Sequence, residues 1–224
     1  MELWTMRHTA SIDNERGIHQ GQDPNAPGLS EKGFEQAFRI VRFLRNFRIL
    51  KIWSSPLLRT MQLARVIKNG CDPLLSIISE PGLLEVTNGV VDGLPLSKIE
   101  ERFSEGWKMW EQNIIDRPCF PGAESKKEAA RRGAKTMRKI ARLSFPLPEN
   151  CYEPNNIVIV ISHGTLLELT NTILAGQSLK KHQEFAQKNG CINFLKWTWK
   201  GLEPTCINFT GHLGDTDISP KIEL

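Results

Sequence analysis

Short apolar segments and segments with helical periodicity alternate along the chain. The apolar runs at 2–6, 50–53, 76–79 and 157–161 have the length of single strands, and each of them predicts one. The run 157–161, Ile-Val-Ile-Val-Ile, is β-branched throughout and has no polar position. We therefore expect it to be a central strand that is buried on both faces.

Helical spacing of apolar residues separates these strands. A helix is expected from about Glu31, capped by Ser30, and another over 56–68, closed by Asn69-Gly70. Further helical segments are predicted at about 96–112, at 124–143 and directly after Ser162-His163-Gly164.

Alternating strands and helices predict an α/β fold, a three-layer sandwich with a mainly parallel central sheet flanked by helices. Residues 10–28 are polar and rich in turn formers, which predicts a loop. Segments 191–199 and 205–209 are expected to form a closing antiparallel hairpin. We expect 1–224 to be one domain, with a helical insertion at about 86–150 that covers one end of the sheet.

Composition narrows the class of protein without identifying it. The 224 residues are 40% hydrophobic and carry a net charge of +4, from 29 basic and 25 acidic residues. This small excess favours an anionic small molecule, and it lacks the concentrated basic stripe that indicates nucleic-acid binding. With neither a long apolar run nor a signal-peptide pattern, we expect a cytoplasmic protein that does not bind a membrane.

The cysteines predict neither a disulfide framework nor a zinc site. They are odd in number, scattered and without C-x-x-C spacing, which is typical of reduced thiols. They are Cys71, Cys119, Cys151, Cys191 and Cys206.

Polar residues with useful chemistry lie just after several predicted strands. His8, Arg59, Glu85 and His163 are all placed in this way. Ligands bind at the carboxyl ends of strands in open parallel sheets, so these side chains are expected to meet at one edge. Each residue alone has a structural explanation, such as a loop salt bridge or a solvated helix position, and the joint pattern carries the inference.

The motifs around these residues have a characteristic order and spacing. They are Arg7-His8-Thr9, Asn14, Gln20-Gly21, LSEKGFEQA at 29–37, SPLLRTMQLA at 55–64, LLEVTNGVVDG at 83–93, PGAES at 121–125 and Ser162-His163-Gly164. This series resembles the histidine phosphatase (phosphoglycerate mutase-like) superfamily, and the likeness covers nearly the whole chain. Three positions depart from the family pattern, Thr9, Ala10 and Val91, and we expect these to shape the pocket beside the phosphate.

The resemblance implies a mechanism. His8 would take up the phosphoryl group, and Glu85 would act as general acid and then general base. Arg7, Arg59 and His163 would hold the phosphate, with Asn14 as a neutral donor; the two arginines suit this because they stay charged, and they should keep His8 neutral. The implied enzyme needs no metal and no cofactor, and the insertion would lie over its active site.

Some further residues have two open interpretations. Gln20 and Gly21 would contact the substrate or build the loop, and Glu124 and Arg131 would reach the pocket or brace the insertion. The remaining aromatic and histidine side chains are expected to be structural. His19 and His182 are expected at the surface, His212 as a brace near the terminus, and Trp107 and Trp110 in the core of the insertion.

The predicted reaction is hydrolysis of a small phosphomonoester, and the partner is expected to be a small phosphorylated metabolite. A cofactor-dependent phosphoglycerate mutase is one alternative, but such mutases typically follow the catalytic Glu with R-H-Y-G, where this chain has Val86 to Gly89. A non-catalytic module that binds phosphorylated ligands is another. The terminal hairpin could pair two copies, so a homodimer is left open.

Overall fold

The chain folds around two sheets, whose strands have the following bounds. The structure is a computed structural model that describes residues 1–145 and 155–214, together with the backbone of 222–223. The strands are β1 (Glu2–Arg7), β2 (Ile18–His19), β3 (Arg48–Ser54), β4 (Ile77–Ser79), β5 (Leu94–Pro95), β6 (Asn156–Ser162), β7 (Ile192–Thr198), β8 (Gly201–Phe209) and β9 (Ile222–Glu223). Cys151 and the expected end of the insertion near 150 lie outside the described residues.

Helices connect most of these strands. They are α1 (Ile12–Arg16), α2 (Glu31–Leu44), α3 (Leu58–Cys71), α4 (Leu96–Arg102), α5 (Ser104–Glu111), α6 (Lys126–Ser144) and α7 (Gly164–Leu174). Short 3₁₀ segments lie at Pro81–Leu83, Gly89–Val91, Leu179–Phe185 and Gly211–Leu213. No helix in the described ranges combines the length and the apolar character needed to cross a bilayer.

The main sheet has the order β4-β3-β6-β1-β7-β8-β9. Its first four strands pair in parallel, and β7, β8 and β9 add antiparallel pairs beyond β1. The four parallel strands therefore end at one edge, where the motif residues follow them. Strands β2 and β5 form a separate small ribbon.

The alternation of side chains along β6 shows how the three layers are built. Ile157, Ile159 and Ile161 face a core that also contains residues of α2 and α3. Val158 and Val160 face the opposite core, which contains residues of α6 and α7. Both faces of this strand are buried, so the predicted sandwich, its mainly parallel sheet and its central strand are confirmed.

Helix α6 corrects the predicted extent of the insertion. Its residues Ala134, Met137 and Ile140 pack into the core of the sheet, so α6 is a layer of the sandwich and not part of the covering segment. A smaller core, which includes Ile99 and Phe120, lies beneath α4 and α5. That the chain is one domain stays a prediction.

Several predicted boundaries were wrong for local physical reasons. Gly70 lies inside α3 and does not end it. A Cβ there would stand 2.6 Å from Cγ1 of Val41 on α2, so the role of this glycine is to permit the close approach of the two helices. The predicted helix 96–112 breaks at Phe103 (φ −131°, ψ 46°), whose ring packs edge-on against Phe120. The expected loop 10–28 contains α1, which begins with a capping box between Ser11 and Asn14.

The terminal hairpin is antiparallel, as predicted, but its turn is shorter than expected. Strand β7 ends at Thr198 and β8 begins at Gly201, so Pro204 lies within β8. Pro204 is opposite Leu195, beside an irregularity in the pairing that tolerates the missing N–H.

Candidate active site

The ends of the parallel strands surround a cavity of about 240 Å³. Arg7 and His8 reach it from the end of β1, Arg59 from the first turn of α3, and Glu85 from the loop beyond β4. Its lining comprises Arg7, His8, Asn14, Ile18, His19, Gln20, Gly21, Arg59, Glu85, Asn88, Gly164, Thr165, Glu168, Ala186 and Gln187. The predicted edge of the sheet therefore gathers most of the residues that the motifs indicate.

The hydrogen bonds of His8 define its tautomer. Its Nδ1 lies 2.8 Å from the carbonyl oxygen of Thr9, which can only accept, so Nδ1 carries the proton. Its Nε2 accepts a hydrogen bond of 3.2 Å from Nε of Arg59. Burial, followed by the charges of Arg59 and Arg7, holds the pKa of His8 well below its usual value. The ring is therefore neutral, with the lone pair of Nε2 directed at a guanidinium.

Two arginines, the buried Arg59 and the half-buried Arg7, supply the positive charge of the cavity. Nη2 of Arg59 donates to the carbonyl of Gly21 at 2.9 Å, and burial lowers the pKa of Arg59 to about 10, so it remains charged at neutral pH. Nη1 of Arg7 donates to the carbonyl of Gln187 at 2.6 Å, while its Nε is buried with no partner among the described residues. A Cβ at Gly164 would stand 3.1 Å from Cζ of Arg7, so glycine makes room for this guanidinium.

His163 lies beside His8 at the amino terminus of α7. The two ring centroids are 5.4 Å apart, and Nε2 of His163 is 2.8 Å from Oγ of Ser55. Burial and then the charge of Arg59 hold its pKa well below the usual value. Its Nδ1 is buried and has no hydrogen-bond partner in the described part of the chain.

Glu85 is fixed against the start of α7 by backbone donors. Oε1 accepts from the N–H groups of Val86 at 2.8 Å and Leu166 at 3.0 Å, and Oε2 accepts from that of Thr165 at 3.3 Å. These bonds place a carboxylate at the amino end of a helix, where the helix dipole favours negative charge. The Arg7 and Arg59 guanidinium groups line the same cavity.

A comparison with models of known protein families shows to which family the chain belongs. The model of the histidine phosphatase superfamily (branch 1) matches residues 3–210. The chain belongs to this superfamily. The predicted family is thereby confirmed, and so is the enzyme class, a phosphoric monoester hydrolase.

Relatives of this histidine phosphatase carry several names. A probable phosphoglycerate mutase GpmB from Erwinia tasmaniensis is 25% identical over 221 residues, 96% of each chain. Phosphoserine phosphatase 1 from Hydrogenobacter thermophilus is 26% identical over 218 residues, covering 96% of this chain and 95% of the relative. A mycobacterial glucosyl-3-phosphoglycerate phosphatase in complex with VO3 has a TM-score of 0.81 at 22% identity, covering 93% and 99%. At 22% identity, the similarity to this last structure supports the fold alone.

The secondary motif residues of this histidine phosphatase lie beside the main group. Oδ1 of Asn14 accepts from Nδ2 of Asn189 at 2.9 Å and from the Ser11 N–H, which leaves its own Nδ2 as the donor. Gln20 donates to Oγ of Ser11 at 2.7 Å, and its Oε1 is buried without a partner among the described residues. Gly21 adopts φ +44° and offers its carbonyl to Arg59.

Glu124 does not line the main cavity. It lines a smaller one of about 30 Å³ next to it, and its carboxylate takes two hydrogen bonds from Arg132, at 2.9 and 2.7 Å. Arg132 in turn donates to the carbonyls of Gly82 and Leu84 and, at 3.4 Å, of Glu85. Glu124 thus bonds to Arg132, whereas Arg131, which the helical spacing paired with it, is exposed.

Two histidines were wrongly predicted to lie at the surface. His19 lines the cavity, where its Nε2 lies 2.6 Å from Nδ2 of Asn88. His182 is only 4% exposed and pairs with Glu168. The position of His19 beside the Gln20-Gly21 motif was a usable signal, whereas the polar neighbours of His182, Lys180 to Gln183, concealed its burial.

Other predictions about structural residues were confirmed. The ring of His212 packs on Phe43 and Phe209, and Trp107 and Trp110 pack onto the core of the insertion.

The three positions that depart from the family pattern were expected to shape the pocket, but they do not line the cavity. Thr9 and Ala10 are buried and Val91 lies in the insertion core, and none of the three is in the cavity lining of the described chain.

Proposed function

We propose that this chain is a metal-independent phosphatase that hydrolyses a small phosphomonoester through a phosphohistidine on His8. The observation that carries the proposal is the neutral, Nδ1-protonated ring of His8. Its Nε2 accepts the Arg59 hydrogen bond in a cavity lined by two guanidinium groups, and a bound phosphoryl group would take over that donor and free the Nε2 lone pair. A neutral imidazole is a nucleophile, and fixed positive charge stabilises the equatorial oxygens of the transferred phosphoryl group.

The first half-reaction uses His8 and Glu85. Nε2 of His8 attacks phosphorus while the bond to the leaving oxygen breaks, and the Glu85 carboxyl gives that oxygen its proton. Arg7 and Arg59 hold the phosphoryl oxygens. The Asn14 amide, which lines the same cavity, can donate to these oxygens as well. His163 is buried behind the lining of the cavity, and its Nδ1 has no partner among the described residues, so a donor role for it requires the ligand to reach past that lining.

The second half-reaction regenerates the enzyme. The Glu85 carboxylate takes a proton from a water molecule, the water oxygen bonds to phosphorus, and the N–P bond breaks. Inorganic phosphate leaves, His8 is neutral again and Glu85 is again protonated. Glu85 can serve both steps because backbone hydrogen bonds hold it beside the cavity.

A mutase of the phosphoglycerate type shares the first half-reaction and returns the phosphoryl group to a product hydroxyl. The name of the Erwinia relative favours this alternative. A module that only binds phosphorylated ligands has no use for a neutral His8 beside a positioned carboxylate.

The test is phosphate release from a panel of phosphomonoesters in the presence of EDTA, for the wild type and His8→Ala. We expect release by the wild type and a loss of more than about 10³-fold in the variant. A ³²P label that is acid-labile and absent from His8→Ala would support the intermediate. Label transfer to added phosphoglycerate in place of phosphate release would favour the mutase. Binding without turnover or label would leave the binding module.

A further inference from the structure

Glu168 lines the cavity without belonging to the phosphate-binding group. It lies on α7, one helical turn after Gly164 and Thr165, which line the same cavity. Its side chain is 16% exposed. Burial lowers the pKa of Arg7, and the carboxylates of Glu85 and Glu168 act against this shift, which places the Glu168 charge within electrostatic range of Arg7.

Three neighbours determine which groups of this network carry protons. Lys126 Nζ donates to Oδ1 of Asn113 at 2.5 Å, and because an ammonium can only donate, this atom is the amide oxygen. Nε2 of His182 lies 2.5 Å from the same oxygen, so Nε2 must also donate.

The remaining ring nitrogen of His182 contacts Glu168. Nδ1 of His182 contacts Oε1 of Glu168, so one proton lies between this ring nitrogen and the carboxylate oxygen. The contact holds Oε1 in place, and Oε2 has no hydrogen bond to any other described residue. This oxygen is an acceptor that a ligand in the cavity can use.

The cations of the cavity are few. In the described lining only Arg7 and Arg59 are permanently charged, and burial lowers the pKa of His19, which favours its neutral form. Once the two arginines hold a phosphoryl group, no cation in this lining is left for a second anion. Arg117 and Lys126 line the adjacent cavity of about 30 Å³, and Lys126 is bonded to Asn113. His182 carries a charge only when it is protonated, and that charge then pairs with Glu168.

We propose that Glu168 is a specificity residue that accepts a hydrogen bond from a hydroxyl or ammonium group on the leaving group of the substrate. The negative charge of its carboxylate also disfavours leaving groups that carry a carboxylate or a second phosphate. His182 is a positioning residue that orients the carboxylate. The inference rests on the proposed phosphatase function and narrows its substrate class to phosphorylated alcohols that carry a further donor.

The test compares kcat/KM for four esters that differ in the leaving group. Phosphoethanolamine carries an ammonium, and glycerol 1-phosphate carries two hydroxyls. In 3-phosphoglycerate a carboxylate takes the place of the terminal CH2OH group and one hydroxyl remains, so its comparison with glycerol 1-phosphate isolates the effect of the carboxylate. The fourth ester, n-propyl phosphate, carries none of these groups. We expect the wild type to prefer one or both donor-bearing esters over n-propyl phosphate by about 10–100-fold, and 3-phosphoglycerate to be the poorest. The first two esters distinguish an ammonium from a hydroxyl donor.

Glu168→Gln keeps the shape and removes the charge. We expect it to reduce the ratio of donor-bearing ester to n-propyl phosphate about tenfold and to improve the relative rate with 3-phosphoglycerate. Glu168→Asp, which keeps the charge on a shorter arm, should restore part of the ratio. Glu184→Gln, at an exposed position of the same 3₁₀ segment as His182, is the matched control and should leave every ratio unchanged.

Two results would overturn the inference in distinguishable ways. Turnover that is lost in His8→Ala, with ratios that Glu168→Gln does not change, leaves the phosphatase standing and removes Glu168 from specificity. A wild-type preference for 3-phosphoglycerate also removes Glu168 from specificity and leaves the phosphatase standing. It points to Arg117 or Lys126 as the group that binds the carboxylate. If the wild type releases no phosphate from any ester, the proposed function fails and the substrate class falls with it.

Discussion

The two ends of the cavity are built by different means. At the phosphate end, His8, Ser55 and His163 follow parallel strands directly, and Arg59 lies one turn into a helix. At the other end, Glu168 is oriented by His182 and Asn113, which come from a 3₁₀ segment and from the end of the insertion helix α5.

We therefore expect variants at the phosphate end to change the rate with every ester, and variants at the other end to change the preference among leaving groups. Strand ends are fixed by the sheet, so a change at the phosphate end should affect all esters alike. The contacts at the other end are between side chains of separate segments and can change without disturbing the sheet. A change there should affect esters according to their leaving group.

Glu85 lines the same cavity, and its removal should have the largest effect of the variants below. Glu85→Gln removes the proposed proton donor, so we expect kcat/KM to fall about 10²–10⁴-fold for alkyl phosphates. The loss should be much smaller for p-nitrophenyl phosphate, whose leaving group needs no proton. Steady-state kinetics with both esters checks this, and an equal loss for the two would remove Glu85 from proton transfer.

Arg59→Gln tests the phosphate end. Loss of the guanidinium that contacts Nε2 of His8 should reduce kcat/KM about 10²–10³-fold, and by a similar factor for every ester. Arg65→Gln, at an exposed position of the same helix, is the control. A loss that varies strongly with the leaving group would contradict the separation of the two ends.

The buried histidines of the phosphate end make stability depend on pH. The pKa values of His8 and His163 are lowered in the folded state, so the unfolded chain binds more protons below about pH 6.5. The stability that they contribute is present above that pH and is lost as the pH falls, by at most about 1.4 kcal/mol per pH unit for each histidine. Urea unfolding at pH 7.5, 6.5 and 5.5 measures the slope. His163→Gln should make it shallower, and an unchanged slope would refute the assignment.

The brace between Glu124 and Arg132 should have the smallest effect. Arg132→Met removes hydrogen bonds to the backbone carbonyls of Leu84 and Glu85. We expect kcat for an alkyl phosphate to fall about tenfold with little change in KM, since an indirect loss of position costs less than loss of the acid itself. Arg131→Met, at the exposed neighbouring position, is the control, and a fall in both variants would indicate a general effect on the helix.

Local sequence was sufficient for the phosphate end. The run 157–161 before Ser162-His163 is entirely apolar, and the motifs around His8 and Arg59 are continuous in sequence, so no long-range contact had to be guessed. The layered fold followed from the same alternation of strands and helices.

Contacts between distant segments could not be predicted in the same way. The burial of His182 depends on Glu168 and Asn113, 14 and 69 residues away along the chain. Spacing placed Glu124 and Arg131 on similar faces and left their roles open, but the fold orients Arg132 toward Glu124. The break at Phe103 depends on Phe120, whose position no periodicity specifies.

The pairing of β1 has a consequence for the order of events during synthesis. This strand ends at Arg7, yet its two neighbours in the sheet are β6, at 156–162, and β7, at 192–198. At about 5–20 residues per second, ribosomes need about 10–40 s to make the intervening chain. The buried side chains of Leu3, Trp4 and Met6 must wait that long for their partners. A chain interrupted within this interval has His8 but lacks the strands that flank β1, and such long-range pairing is slow to form.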